Sequence, residues 1–189
     1  MYTVPVADAL VVIDIQNEYF PGGNLTLPDA EAAAGRAGAA IAAARAAGVP
    51  VIHIQHEEPD SQDWFVPGSH GAEINPAAAP VGDELVIVKH QPNSFLKTDL
   101  AQRLERLGAT RVAFCGMMTS MCVDATVRAA ADLGVRPVLI DDACAAPDLE
   151  HRGARVPAAA VHAAFCGALG DEIATLVPSG DFASAPADA

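Results

Sequence analysis

Positive charge is scarce: Lys and Arg number 11 against 24 Asp and Glu, a formal net charge of −13 over 189 residues. No cluster of Lys and Arg reverses that sign locally, so neither a nucleic-acid backbone nor an anionic membrane surface is an expected partner. Lysine is scarcest of all, with only Lys89 and Lys97. The four cysteines, Cys115, Cys122, Cys144 and Cys166, form no C-x-x-C pair. Reduced thiols and a cytoplasmic location are expected, because no basic segment followed by an apolar run opens the chain. No stretch of about 18 apolar residues runs without interruption, which is too little to build a spanning helix. Aromatic residues make up 5%, with a single Trp.

What is present is apolar and small. Hydrophobic residues account for 51% of the chain and forty residues are Ala. A chain of this length can bury a sizeable core as one domain, without disulfides or a structural metal. Residues 9–15, ALVVIDI, are a short β-branched run that reads as a strand buried on both faces. Asp29 is placed to cap a helix over residues 30–47, which Gly48 and Pro50 stop. Further strands are expected at 49–55, 84–89, 111–116, 136–140 and 173–177, with helices at 99–107, 120–133 and 157–169. Alternating strands and helices predict an α/β fold: a three-layer α-β-α, Rossmann-like arrangement around a mainly parallel six-stranded sheet. Residues 57–83, rich in Pro, Gly and Asp, make a loop long enough to shape a site. Residues 178–189 read as a loosely attached polar tail.

In open parallel sheets, ligands bind outside the carboxyl ends of the strands. Asp14 ends the first strand between two isoleucines, and an isolated buried carboxylate costs several kcal/mol unless it is paired or protonated. Lys89 ends the third strand after Val86, Ile87 and Val88 and faces the same penalty. Placing the two together resolves both. Cys122 follows the fourth strand in CGMMTSMCVDATVRAA, where Gly116 permits a sharp exit and Thr119 or Ser120 can cap the next helix. In a first helical turn, free N–H groups and the helix dipole favour a thiolate and can receive an oxyanion. The other three cysteines are read as small buried hydrophobes.

The segments VIDIQNEYF, VIVK with a downstream Ser-Phe pair, and GMMTSMCVDATVRAA resemble those of the isochorismatase-like cysteine hydrolases. That superfamily includes nicotinamidases, N-carbamoylsarcosine amidase, isochorismatases and streptothricin hydrolase. The resemblance spans residues 9–177 and implies a catalytic triad of Asp14, Lys89 and Cys122. It also implies a cis peptide between Met117 and Met118, with an oxyanion hole formed by the N–H groups of Met118 and Cys122. The implied activity is C–N hydrolysis of a small amide, lactam or carbamoyl compound through a thioester, in a homodimer or homotetramer. No cofactor is expected. Alternatives are vinyl ether hydrolysis of the isochorismatase type, or an inactive small-molecule-binding scaffold on the same fold.

Nicotinamidases carry a D-W-H type metal segment after the second strand. Here IQHEEPD stands in its place, so no metal is expected, although His56, Glu58 and His70 have suitable donor types. Candidate substrate contacts are Gln16, Phe20, His56, Trp64, Phe65 and Phe95. Ser120 stands where relatives commonly carry a charged residue or an imidazole, which leaves the substrate open.

Overall fold

A computed structural model describes residues 7–182. The strands are β1 (Ala9–Ile13), β2 (Val51–His56), β3 (Leu85–Lys89), β4 (Arg111–Met117), β5 (Arg136–Ala145), β6 (Leu149–His151), β7 (Ala154–Val156) and β8 (Thr175–Val177). The helices are α1 (Ala30–Ala46), α2 (Leu100–Arg106), α3 (Asp124–Asp132) and α4 (Ala158–Glu172). Six strands form one parallel sheet in the order β3-β2-β1-β4-β5-β8. The connection β1→β2 moves one way across the sheet, whereas β3→β4, β4→β5 and β5→β8 move the other. With right-handed crossovers, α1 falls on one face and α2, α3 and α4 on the opposite face. The order reverses between β1 and β4, so the ligand crevice of such a sheet opens there.

The core follows from the composition. Every residue of β1 and β4 is buried, as expected of strands covered on both faces. Helix α1 buries Ala33, Ala37, Ala40, Ile41 and Ala44, three to four residues apart, and the small side chains bring it close to the sheet. Gly48, with φ 71°, supplies the left-handed residue that ends the helix. Gly116 solves a packing problem at the switch point. A Cβ there would fall 1.9 Å from the Ile13 carbonyl oxygen, and its φ of 131° strains any other residue.

Several local expectations change. Asp29 has φ 60° and makes no side-chain cap, so packing of the alanine face rather than capping starts α1. The helix expected at 120–133 opens with a π-wound turn, Thr119–Val123, before α3, and neither Thr119 nor Ser120 caps it. The fifth strand runs on to Ala145 across a register shift between Phe114 and Gly116 of β4. The β6–β7 hairpin, short and exposed, carries no apolar pattern and escapes the sequence. The start of the polar tail is anchored: Ser179 bonds Asp142 through its N–H and its hydroxyl, and Phe182 is buried. Residues 183–189 of that tail lie outside the described residues. Among the described residues, no helix is long and apolar enough to cross a membrane.

Candidate active site

Three strand ends and one turn build the site. Asp14 follows β1 with φ 49°, and its N–H donates to the Ile54 carbonyl at 3.1 Å. Lys89 is the last residue of β3, two strands away, and pairs in register with His56 of β2. Its side chain reaches across β2 until Nζ lies 2.7 Å from Asp14 Oδ2. From β4 the chain passes through Gly116 and the cis Met117–Met118 peptide into the π turn that carries Cys122. Lys89 Nζ donates to Cys122 Sγ at 3.4 Å and to His56 Nδ1 at 3.0 Å. Asp14 and Lys89 are both fully buried, and Cys122 is 4% exposed.

The electrostatics follow from this dryness. Burial alone would depress the Lys89 ammonium, but Asp14 and then Cys122 outweigh it and hold its pKa above the usual lysine value. Burial pushes the Cys122 thiol far up and Asp14 pushes it further, while Lys89 works against both. Desolvation thus works against the thiolate that an N-terminal helical turn favours, and Lys89 works for it. Among the described residues the Asp14 carboxylate has Lys89 and Cys122 as its polar neighbours and no backbone or other side-chain donor. The carboxylate thus retains capacity to take a proton from the thiol beside it.

The expected substrate contacts disperse. Gln16 spends its amide on the backbone, donating to the His56 and Ala72 carbonyls and accepting from the His56 N–H. With both its donors used and no exposure, it clamps the segment after β1 to the end of β2. Phe20 lines a cavity of about 700 Å³ together with Asn17, Glu31 and His70, none of them a triad residue. Phe95 lines another cavity, with Gln102 and Leu104 of α2. Trp64 is 44% exposed. Phe65 stacks edge-on against His56 and Tyr19, both at 5.2 Å, and stays close to the site as a wall behind His56. His56 turns to Lys89 and Glu58, whereas His70 bonds Glu73 and Asn17. His56, Glu58 and His70 therefore do not converge, and the described residues hold no metal-binding group of three.

Two contributors escape sequence reasoning. Tyr19 is buried against Phe65, and after desolvation the charges of Cys122, Asp14 and Glu18 raise its phenol well above the usual value. The adjacent Phe20 is buried too, but lines the cavity beside Asn17. His162 of α4 has Nδ1 3.0 Å from Thr119 Oγ1 and braces the turn that holds Cys122.

A parallel α/β sheet with this cluster at its switch point is an arrangement suited to hydrolysis. The isochorismatase domain model matches residues 8–167, and the chain belongs to the isochorismatase family, a family of hydrolases. It is 44% identical to the isochorismatase family protein YddQ of Bacillus subtilis over 169 residues, 89% of this chain and 94% of that one. It is 36% identical to a streptothricin hydrolase of Streptomyces noursei over 187 residues, 94% of this chain and 72% of that one. The crystal structure of N-carbamoylsarcosine amidase from Thermoplasma acidophilum superposes with a TM-score of 0.77. It is 25% identical, over 90% of this chain and 95% of that one.

Proposed function

We propose that the protein is a cysteine hydrolase that cleaves the C–N bond of a small non-peptide amide, lactam or carbamoyl compound. The observation that carries this reading is the dry contact of Lys89 Nζ with Asp14 Oδ2 at 2.7 Å and Cys122 Sγ at 3.4 Å. Kinship with a streptothricin hydrolase and with N-carbamoylsarcosine amidase supports it.

In this scheme Asp14 takes the Cys122 proton as Sγ attacks the substrate carbonyl carbon. The cluster's charge is conserved, since the negative charge passes from carboxylate to thiolate while Lys89 stays between them. The N–H groups of Met118 and Cys122 are the candidate donors to the oxyanion. Collapse of the tetrahedral intermediate breaks the C–N bond, and the proton on Asp14 goes to the leaving nitrogen. Water then adds to the thioester, giving its proton to Asp14. The S–C bond breaks, the acid leaves, and the thiol regains its proton. The scheme calls on no cofactor.

The test is a panel of primary amides, carbamoyl compounds, lactams and isochorismate, assayed for ammonia or acid release with wild type and Cys122→Ala. Hydrolysis of an amide-type compound that disappears in the variant supports the reading. Activity confined to isochorismate and undiminished in the variant overturns it.

A further inference from the structure

We propose that His56, anchored by Glu58, is a positioning residue that fixes the Lys89 ammonium against Cys122. The inference rests on the cysteine-hydrolase reading above, and goes beyond it in giving His56 a role that acts through Lys89 and not through substrate.

Three acceptors surround Lys89 Nζ, one for each N–H: Asp14 Oδ2 at 2.7 Å, His56 Nδ1 at 3.0 Å and Cys122 Sγ at 3.4 Å. An ammonium can only donate, so Nδ1 of His56 must be the unprotonated nitrogen. The remaining ring proton then sits on Nε2, 2.9 Å from Glu58 Oε1, which accepts it. Glu58 thus selects the tautomer that makes His56 an acceptor, in the way a carboxylate behind a functional imidazole fixes its ring. Phe65, edge-on at 5.2 Å, closes the other side of the ring. Burial, and next the Lys89 charge, lower the His56 pKa, so the neutral ring persists near neutral pH.

The consequence lies in the direction of the lysine. Lys89 leaves an edge strand and must cross β2 to meet Asp14, and His56 is the residue paired with it on β2. Without the imidazole, one N–H of a buried ammonium has no partner and the side chain is free to turn away from Sγ. The groups facing Lys89 are Asp14 after β1, His56 from β2 with Glu58 behind it, and Cys122 from the π turn; the charges of Asp14 and Cys122 also act on the buried Tyr19 phenol. Of these, Lys89 alone lowers the thiol pKa, through its charge and its hydrogen bond to Sγ. Loosening Lys89 therefore makes the thiol less reactive even when no substrate is present.

The experiment uses iodoacetamide as a probe, with alkylation of the Cys122 peptide followed by mass spectrometry from pH 6 to 10. His56→Phe keeps a ring against Phe65 and removes the acceptor, whereas His56→Asn places an amide oxygen near the position of Nδ1. Expected are a Cys122 alkylation rate at pH 8 about tenfold lower in His56→Phe, near wild type in His56→Asn, and about threefold lower in Glu58→Ala. Far-UV circular dichroism verifies the fold, and Glu58→Ala, at a partly exposed position, serves if His56→Phe does not fold. On a compound from the amide panel, His56→Phe lowers kcat and leaves KM within twofold. Equal alkylation rates in wild type, His56→Phe and Glu58→Ala overturn the proposal, as does a change confined to KM, which would mark His56 as a substrate contact. Failure of the cysteine-hydrolase reading shows separately, as full turnover by Cys122→Ala.

Discussion

Strands β2 and β3 carry two charge clusters, one at each end, built from the same residue types. Near their amino ends His53 of β2 meets Glu84 just before β3; at their carboxyl ends His56 of β2 meets Lys89 of β3. Glu84 is saturated. Arg45 donates to both its oxygens at 2.7 and 2.8 Å, His53 Nε2 lies at 2.9 Å, and the Val81 N–H donates at 3.0 Å. Arg45 above all, against the opposing effect of burial, holds its carboxyl down at about 2. At the other end the carboxylate is Asp14, fully buried and compensated among the described residues by one cation, Lys89 at 2.7 Å. A carboxylate that ties elements together is ringed by donors from several segments. In the proposed scheme the one that takes up a proton has fewer partners, and the fold bears the cost of that deficit.

The largest break in this comparison is Asp14→Asn. It removes the proton acceptor of the proposed scheme and leaves Lys89 buried without its Asp14 counter-charge, so turnover is expected to fall by more than about 10³-fold and stability by about 3–5 kcal/mol. Steady-state assays and urea unfolding read the two effects. Gly116→Ala comes next. Its Cβ collides with the Ile13 carbonyl, next to Asp14, and forces β1 and β4 apart. A loss of about 3 kcal/mol is expected, with activity falling alongside it, as unfolding and turnover measured on one preparation will show.

The smallest effect sharpens the contrast. Glu84→Gln is expected to lower stability by about 1 kcal/mol and to leave turnover within twofold. The same cluster contributes to the acid side of stability, together with His56 at the opposite end, whose pKa burial also lowers. The pKa of His53 is lowered, by burial first, and that of Glu84 is lowered too. Both therefore stabilise the fold fully above their unfolded values of 6.5 and 4.5 and lose that contribution as pH falls, His53 from about 6.5 downward and Glu84 between 4.5 and about 2. Thermal midpoints from pH 8 to 4 should decline below pH 6.5, and His53→Gln should flatten the first part of that decline.

The fold was legible because apolar runs and glycine stops alternate so regularly, and Asp14 and Lys89 stood out as candidates because charged residues at the ends of apolar strands need a reason to be there. Isochorismatase-family resemblance added order to that reading. The partners of the triad were hidden. His56 meets Lys89 only through the β2–β3 register, which no local pattern reports. Gln16 looked available because a polar side chain after a strand usually is, and only the nearby Ala72 and His56 carbonyls show how it is used. Tyr19 and Phe20 are adjacent aromatics and both are buried, so sequence alone does not tell which neighbours each ring meets. The π turn likewise depends on the exit from β4 rather than on helix propensity.

The account stands most directly on whether Cys122 becomes acylated. Rapid acid quench of wild type with a hydrolysed amide from the panel, followed by peptide mass spectrometry, should show the acyl mass on the peptide carrying Cys122 during turnover and none in Cys122→Ala. Steady turnover with that peptide unmodified at every quench time, together with undiminished hydrolysis by Cys122→Ala, would contradict it.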